Sequence, residues 1–259
     1  MNWDVALNGL YIIIAVSIIT WILSILISDV SIVDSVWSIM FLASASYYYS
    51  LIDEPSLRTN IIFAFIFIWS LRLAIHLTWR NWGEPEDKRY QDIRKKYSPH
   101  FKYKSVYIIF LFQALLAWII STPLYYAFQS DLTITPNTLL DSVAVAFFII
   151  GFSFEAISDY QLNKFKSDSN NKNKVMNTGL WKYSRHPNYF GEFMIWWAFY
   201  LFVIQDAPLW IIASPLLMSW LLLKFSGIVM LEENITNRRP KYKDYIASTN
   251  VFFPGPSKQ

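Results

Sequence analysis

Long apolar runs separated by polar segments dominate the chain. A helix needs about 20 mostly apolar residues to cross the hydrocarbon core of a bilayer. A helix also pairs its own backbone groups where no water is present, which an isolated strand does not. The pattern therefore predicts an all-α integral membrane protein with seven transmembrane helices. The predicted spans are 5–27, 36–52, 61–78, 106–128, 139–157, 190–203 and 209–231.

The composition supports a membrane protein and excludes several kinds of site. Hydrophobic residues make up 54% of the chain and charged residues 16%, whereas a soluble domain carries about 25% charged residues. Cysteine is absent, which excludes disulfides, thiolate metal sites and cysteine nucleophiles. The chain has 3 histidines and a net charge of only +3. We therefore expect neither a metal site nor a nucleic-acid partner.

Basic residues are concentrated in alternate connections between the predicted spans. Segments 80–104 and 159–185 and the tail after residue 231 are rich in Lys and Arg. Because cytoplasmic loops carry the excess of these residues, the N-terminus is predicted outside and the C-terminus in the cytoplasm. An even number of spans would place basic and non-basic connections on the same side of the membrane, so the alternation favours seven spans. The connections with little or no positive charge are 53–60, 129–137 and 205–208.

Residues 87–97 (DKRYQDIRKKY) form a strongly charged segment within the first basic connection. The segment reads as a charged helix at the membrane surface or in the cytoplasm. The same composition would also serve as a simple positive anchor on the cytoplasmic side. The sequence leaves both interpretations open.

Ionisable side chains also occur inside or at the ends of predicted spans. Such residues are costly in a bilayer and usually serve a function. Arg72 and His76 are four residues apart and share one helix face. Glu155 and Asp159 have the same spacing, and Asp34 lies near the start of the second span. We expect these groups to line a polar cavity that opens to the cytoplasm.

The segment 179–192 (GLWKYSRHPNYFGE) is the strongest candidate for a cofactor site. Two glycines and a proline interrupt it, so residues 185–188 are not expected to form plain helix. Its Arg, His, Asn, Tyr and Glu side chains offer donors, acceptors and rings at the entrance of an apolar run. The chain contains neither a Walker loop nor a glycine-rich dinucleotide motif. Helices and loops would therefore hold any nucleotide, with Arg and Lys binding its phosphates.

Several motifs resemble the steroid 5-alpha-reductase family, in particular its bacterial branch. The segment 179–192 resembles the C-terminal signature of that family, and residues 158–160 resemble its Ser-Asp-Tyr stretch. The segment 232–254 is also similar to that family. Residues 34–37 (DSVW) and 69–72 (WSLR) are similar to stretches of the bacterial branch.

The resemblance implies a single transmembrane reductase domain over residues 1–259, with a cofactor-binding half at approximately 155–259. The implied cofactor is NADPH, bound from the cytoplasmic side of a bacterial inner membrane. The implied reaction reduces the conjugated C=C bond of a lipid-like enone, such as a 3-oxo-Δ4-steroid, which enters from the bilayer among the membrane lipids. The protein would then be a 3-oxo-Δ4-steroid 5-alpha-reductase.

The resemblance also implies which residues contact the cofactor. Asp159, Asn188, Glu192 and Trp196 match family positions of this kind. Lys166 falls where the family has a phosphate-binding arginine, and other cations are candidates for the 2′-phosphate. The complete set of expected cofactor-binding residues is Arg72, Arg89, Arg94, Glu155, Asp159, Lys166, Tyr183, Arg185, His186, Asn188, Tyr189, Glu192, Trp196, Glu232, Arg239 and Tyr242.

Three residues are candidates for catalysis: Asp34, Trp37 and Trp69. Asp34 falls where animal relatives carry a Gln-Glu pair at the substrate carbonyl, although Val33 replaces the Gln. Trp69 stands where those relatives use a tyrosine. Hydride transfer to an enone places negative charge on its carbonyl oxygen, which requires a hydrogen-bond donor. Asp34 donates only when protonated, so Trp37, Trp69 or a nearby tyrosine remains an alternative donor.

A second resemblance leaves another function open. Residues 185–191 (RHPNYFG), 232–233 (EE) and 242–245 (YKDY) also look like isoprenylcysteine carboxyl methyltransferases and phospholipid methyltransferases. Those enzymes bind S-adenosylmethionine and modify lipid or prenylated substrates. The Ser-Asp-Tyr stretch, the DSVW motif and the predicted seven spans favour the reductase. A transporter would show inverted repeats, and none is found in the sequence.

Overall fold

The structure is a computed structural model that describes residues 1–129, 138–225, 232, 235 and 242–256. Within these residues it contains helices and turns but no strand, which confirms the predicted all-α class. The chain forms two compact units, Met1–Pro136 and Asn137–Gln259.

The first unit contains six helices in its described part. They are α1 (Trp3–Ile27), α2 (Ile32–Ser50), α3 (Leu57–Asn81), α4 (Lys88–Lys96), α5 (Phe101–Ile120) and α6 (Thr122–Gln129). Asn2, Ser56 and Asp87 accept hydrogen bonds from backbone N–H groups at the starts of α1, α3 and α4. The predicted helix over 87–97 is confirmed as α4, with Asp87 as its N-cap.

Small polar side chains fasten the helices of the first unit to one another. Ser38 Oγ on α2 donates to the carbonyl of Ser70 on α3 at 2.8 Å. Ser17 Oγ on α1 donates to the carbonyl of Phe110 on α5, also at 2.8 Å. Such residues let apolar helices approach closely and add interhelical hydrogen bonds. Their buried positions explain why polar residues occur within these apolar runs.

The described part of the second unit contains four α-helices with described bounds, short 3-10 turns and a π-helical stretch, Leu221–Phe225. The helices are α7 (Thr138–Ser167), α8 (Pro187–Val203), α9 (Ala213–Trp220) and α10 (Tyr242–Ser248). α7 and α8 pack against each other along much of their length. α7 continues ten residues beyond the predicted span 139–157, because its polar end packs against the turn that precedes α8.

Among the residues that the structure describes, four helices are long and apolar enough to cross a membrane. They are Trp3–Ile27, Leu57–Asn81, Phe101–Ile120 and Leu139–Ser167. These correspond to the first, third, fourth and fifth predicted spans and indicate a membrane protein. α2, α8 and the apolar helix Leu209–Lys224 occupy the other three predicted positions but are shorter or more polar. The seven-span count and the orientation of the termini stay predictions.

The fourth predicted span, 106–128, differs from the helix that forms there. α5 begins five residues earlier and ends at Ile120, and Ser121 separates it from α6. Pro123 lies in the first turn of α6, where its missing N–H breaks no intrahelical bond. In an unbroken helix the same proline would remove a hydrogen bond and clash with the preceding turn, so the chain starts a new helix.

Two glycines allow α7 and α8 to touch through their backbones. A Cβ atom at Gly191 would lie 2.5 Å from the carbonyl oxygen of Gly151 and 2.6 Å from the backbone nitrogen of Glu155. These neighbours are main-chain atoms, which cannot rotate away as a side chain can. Any larger residue at position 191 must therefore push the two helices apart.

We expect Gly191→Ala to destabilise the protein by about 1–3 kcal/mol, the usual cost of overpacking a tight contact. Thermal unfolding of the full-length protein in detergent, followed by circular dichroism, measures the change. Ile157→Ala on the exposed side of α7 is the matched control, because Ile157 is 47% exposed. A melting temperature that falls no more for Gly191→Ala than for the control would contradict the backbone contact.

Candidate functional site

The segment 179–192 begins with a 3-10 turn, Gly179–Lys182, and ends inside α8. Pro187 is the first residue of α8, a position that suits its fixed backbone and missing N–H. The predicted break in regular helix is confirmed at Arg185 and His186. Asn188, by contrast, already belongs to the first turn of α8.

The 3-10 turn is held against the polar end of α7. The backbone N–H of Leu180 donates to Gln161 Oε1 at 3.0 Å. The indole N–H of Trp181 donates to the carbonyl of Ser158, also at 3.0 Å. The Ser-Asp-Tyr stretch and the 179–192 segment, which the sequence singled out separately, therefore meet in the second unit.

Arg185 connects this segment to the C-terminal part of the chain. Its Nε and Nη2 atoms donate to Glu232 Oε1 and Oε2 at 2.6 and 3.0 Å. Its Nη1 atom donates to the carbonyls of Ile246 and Thr249 at 3.0 and 2.8 Å. We call Arg185, Glu232 and residues 242–256 the C-terminal latch. Four of the five N–H donors of this buried guanidinium are therefore used within the protein.

Further contacts of the C-terminal latch involve buried hydroxyl groups. Ser184 Oγ donates to the carbonyl of Phe252 at 2.7 Å, and the Tyr245 hydroxyl donates to the carbonyl of Trp181 at 2.5 Å. Burial raises the pKa of both Tyr242 and Tyr245, so their phenols are neutral at pH 7. Tyr242, predicted to bind the cofactor, is thus a buried residue of the latch, 6% exposed.

His186 completes the polar cluster around Glu232. Its Nε2 atom lies 3.0 Å from Glu232 Oε1, and its ring stacks on that of Tyr189 at 5.7 Å. Burial alone raises the pKa of Glu232, but hydrogen bonds from His186 and Arg185 outweigh burial and hold this pKa below its ordinary value of 4.5. Glu232 is therefore a carboxylate at neutral pH, paired with Arg185.

Asp159 and Asn188 form a second polar contact, between α7 and α8. Asn188 Nδ2 donates to Asp159 Oδ1 at 3.2 Å. Asp159 is 6% exposed, and Glu155, one turn earlier on the same helix, is 3% exposed. The predicted shared face of these two carboxylates is therefore a buried face. The packing of α7 against α8 thus brings together three predicted cofactor-binding residues, Glu155, Asp159 and Asn188.

The remaining predicted cofactor residues of the second unit are spread over its surface and interior. Glu192 and Trp196 share one face of α8, and Trp196 is fully buried. Lys166 is exposed at the end of α7, and Tyr183 is 46% exposed. Arg239 lies outside the described residues.

The side chains of the second unit fit a dinucleotide in their chemistry. Asp159 supplies acceptors for ribose hydroxyls, and Asn188 supplies an amide that matches a carboxamide. Arg185 is engaged in the latch, so the exposed lysines are the side chains of this unit that could hold a phosphate, as point charges. The exposed lysines near the 179–192 segment are Lys164, Lys166, Lys172, Lys174 and Lys182.

The catalytic candidate Asp34 lies in a hydrogen-bonded network of the first unit. Asp34 accepts hydrogen bonds from the Tyr90 hydroxyl at 2.5 Å and from Arg89 Nη2 at 2.8 Å. Arg89 Nε also donates to Asp87 Oδ1 at 3.0 Å. Gln113 Nε2 on α5 donates to the Tyr90 oxygen at 3.2 Å. We call Asp34, Asp87, Arg89, Tyr90 and Gln113 the Asp34 cluster.

Sequence reasoning did not single out Tyr90. The available signal was its spacing from Ile93 in α4, because these two residues form a narrow apolar stripe on an otherwise charged helix. Tyr90 is 6% exposed. Burial, together with the negative charge of Asp34, raises its pKa well above the ordinary value of 10.0. Tyr90 therefore keeps its proton at neutral pH.

The other two catalytic candidates form an aromatic group in the same unit. The ring of Trp37 packs edge-on against Phe41 at 5.1 Å, and Phe41 lies 6.0 Å from the ring of Trp69. Trp69 is fully buried, and Trp37 is one turn beyond Asp34 on α2. Arg72, predicted to contact the cofactor, follows Trp69 on α3 and is half-buried.

Arg94, another candidate for phosphate binding, is paired within the first unit. Its Nη2 and Nε atoms donate to the two carboxylate oxygens of Glu86 at 2.7 and 2.9 Å. Glu86 Oε1 also accepts the backbone N–H of Val30 at 2.9 Å. Arg89 and Arg94 thus bind carboxylates that fasten α4 to the start of α2 and to the turn before it.

The chain was compared with known proteins. Residues 20–249 match the family described as "Protein of unknown function (DUF1295)". The chain is similar to the uncharacterized protein C594.04c of Schizosaccharomyces pombe, with 28% identity over 272 residues, which cover 91% of this chain and 76% of that relative. No solved structure matches the chain significantly. The family match includes the Asp34 cluster, Arg185 and Glu232.

Proposed function

Because the chain belongs to the DUF1295 family, which is steroid 5-alpha-reductase-like, we propose that it reduces a conjugated C=C bond of a lipid-like enone with NADPH. The substrate class we favour is the 3-oxo-Δ4-steroids. The observation that carries the proposal is the Tyr90–Asp34 hydrogen bond at 2.5 Å. A reductase of this type needs a proton donor for the substrate, and Tyr90 is a buried neutral phenol whose hydroxyl donates to Asp34.

In the proposed reaction, NADPH supplies a hydride to the β-carbon of the enone. Negative charge then develops on the substrate carbonyl oxygen, and a preorganised donor stabilises that charge. The Tyr90 hydroxyl is the donor, and Asp34 orients it. Tyr90 transfers its proton to this oxygen and regains one from solvent, and the resulting enol tautomerises to place a proton on the α-carbon, so that one hydride and one proton saturate the double bond.

The contacts of Asp34 favour Tyr90 over Asp34 as the proton donor. Arg89 Nη2 donates to Asp34 Oδ2 at 2.8 Å and the Tyr90 hydroxyl donates to Asp34 Oδ1, so both carboxyl oxygens of Asp34 act as acceptors. Gln113 donates to Tyr90 and leaves the Tyr90 proton directed to Asp34. A substrate carbonyl in this site would compete with Asp34 for that proton.

Transfer of a methyl group makes different demands. A lipid or prenylated acceptor attacks the methyl group of S-adenosylmethionine with a lone pair and requires no proton donor. The Asp34 cluster therefore has a role in the proposed reductase that it lacks in the alternative methyltransferase. The need for a proton donor in one reaction and not in the other, together with the family's resemblance to the steroid 5-alpha-reductases, supports the reductase.

Thermal stabilisation by ligands tests the choice of cofactor. A ligand that binds the folded protein at 100 times its Kd stabilises it by about 2.7 kcal/mol. We expect NADPH to raise the melting temperature of the purified protein in detergent and S-adenosylmethionine to leave it unchanged. Addition of a 3-oxo-Δ4-steroid should then consume the absorbance of the reduced nicotinamide. The opposite pattern of melting temperatures would refute the reductase.

We expect Asn188→Ala to raise the Kd for NADPH about threefold to tenfold, the usual effect of losing one hydrogen bond of about 1 kcal/mol. Titration of the full-length protein with NADPH, monitored by nicotinamide fluorescence, measures this change. Asn170→Ala in the exposed turn after α7 serves as the control. Equal Kd values for the two variants would remove Asn188 from the cofactor site.

A further inference from the structure

The connection between α3 and α5 lies on one side of the membrane. α3 and α5 are both long and apolar enough to span it, so the end of α3 at Asn81 and the start of α5 at Phe101 mark the same interface. α4 and the segment after it are therefore held close to lipid headgroups. Residues 80–104 carry eight cationic and four acidic side chains, a net charge of +4 that exceeds the +3 of the whole chain.

The charged residues of this connection lie on two sides. The inner side of α4 packs against the rest of the first unit, and the outer side is exposed. Two of the acidic residues, Glu86 and Asp87, bind Arg94 and Arg89 on the inner side of α4. Asp92 is an exposed partner of Lys95 at 3.7 Å, a distance too long for a strong hydrogen bond. The acidic groups thus neutralise mainly the half-buried arginines Arg89 and Arg94. The positive charge of the outer side comes from lysines.

On the outer side, exposed lysines lie next to tyrosines. The ammonium group of Lys96 lies 5.5 Å from the centre of the Tyr97 ring, and that of Lys102 lies 4.8 Å from the centre of the Tyr103 ring. Tyr103 is 56% exposed, and Tyr107, one turn further along α5, is 57% exposed. We call Lys95, Lys96, Tyr97, Lys102 and Tyr103 the Lys-Tyr surface. Tyrosine rings favour the headgroup level of a bilayer, where one end is apolar and the other is wet.

We propose that the Lys-Tyr surface binds the headgroup of an anionic phospholipid. Lysine ammonium groups and tyrosine hydroxyls both donate hydrogen bonds to phosphate oxygens. The neighbouring apolar helices suit the acyl chains of the same molecule. A shallow apolar groove lined by Ala74, Ile75, Thr78, Trp79 and Trp82 lies at the end of α3, on the same side of the membrane. A free phosphate ion gains nothing from the apolar helix α5 that continues directly from Lys102 and Tyr103, so the charge and this apolar helix together point to a lipid.

This inference is independent of the proposed reaction, because it concerns the lipids around the protein and not its substrate. It also extends the interpretation of residues 87–97 as a simple positive anchor. An anchor requires only positive charge, whereas the Lys-Tyr surface places its lysines beside aromatic rings in a defined arrangement. Lipid binding at a defined site depends on which lysines are present, whereas lipid binding by an anchor depends only on the total positive charge.

The test compares spin-labelled phosphatidylglycerol with spin-labelled phosphatidylcholine around the full-length protein in phosphatidylcholine bilayers. Electron paramagnetic resonance gives the relative association of the two lipids. We expect the wild type to prefer phosphatidylglycerol and the Lys96→Gln/Lys102→Gln variant to lose about 30-fold of this preference, since each of the two lysines near an anionic headgroup contributes about 1 kcal/mol. Circular dichroism checks that the variant keeps its helices.

The matched control is Lys164→Gln/Lys172→Gln, which removes two exposed lysines of the second unit. It should keep the preference of the wild type. The proposal fails if the Lys96/Lys102 variant keeps its preference or if the control variant loses it equally. Displacement of the labelled phosphatidylglycerol by millimolar inorganic phosphate would overturn it as well, because the surface would then bind free phosphate.

Discussion

Arg185→Ala should lower the free energy of unfolding by about 3–5 kcal/mol, the range measured when one partner of a buried ion pair is removed. The variant leaves Glu232 without its guanidinium partner and two backbone carbonyls, those of Ile246 and Thr249, without their donor. Arg185 is only 7% exposed, so water does not readily replace these hydrogen bonds. Denaturation of the full-length protein in mixed micelles, followed by circular dichroism, measures the loss.

The dependence of stability on pH supplies a second measurement of the same latch. The pKa of Glu232 is lowered in the folded protein, so its contribution is complete above about pH 4.5 and is lost as the pH falls through the folded value. The wild type should lose this contribution on acidification, and Arg185→Ala should lose less. Lys182→Ala, which removes an exposed cation from the same segment, should behave as the wild type. A loss of less than about 1 kcal/mol in Arg185→Ala would show that the latch does not hold the unit together.

Tyr90→Phe should reduce kcat for enone reduction by about 100-fold to 10,000-fold, the range attributed to a positioned acid or base. Phenylalanine keeps the buried ring and removes only the hydroxyl that donates to Asp34. The Kd for NADPH should therefore stay close to that of the wild type. Steady-state rates with NADPH and a 3-oxo-Δ4-steroid, together with cofactor titration, separate the two effects.

Asp34→Asn shows whether the two residues act as one unit. It should also lower kcat, and the double variant with Tyr90→Phe should be little worse than either single variant, because residues that act together are not additive. Tyr107→Phe is the control, since this exposed tyrosine lies outside the Asp34 cluster. Activity above one third of the wild-type level in Tyr90→Phe would exclude Tyr90 as the proton donor. Trp37 and Trp69 would then be the candidate donors.

Much of the local structure follows from short patterns in the sequence. Apolar runs predicted the helical class, and the charged composition of residues 87–97 indicated the helix that forms there as α4. Proline after histidine predicted the irregular backbone at Arg185, as well as the new helix that follows. Such features depend on residues within a few positions of one another, so the chain specifies them without distant contacts.

The partners of the charged residues could not be predicted in this way. Arg89 and Arg94 are candidate partners of the 2′-phosphate by their charge alone, and the structure pairs them with the carboxylates of Asp34 and Glu86. Asp34 and Arg89 are 55 residues apart in the chain. Hydrophobic periodicity places each residue on a helix face but does not say which helix packs against that face.

For this protein, the sequence by itself determined the helical membrane class and the irregular entry to α8, because these depend on local composition and spacing. Only the tertiary structure decided that Arg185 holds the C-terminal segment and that Tyr90 donates to Asp34. These assignments depend on hydrogen bonds between residues 47 and 56 positions apart. A buried charge takes whichever partner the folded backbone brings within reach, and that choice is settled by packing.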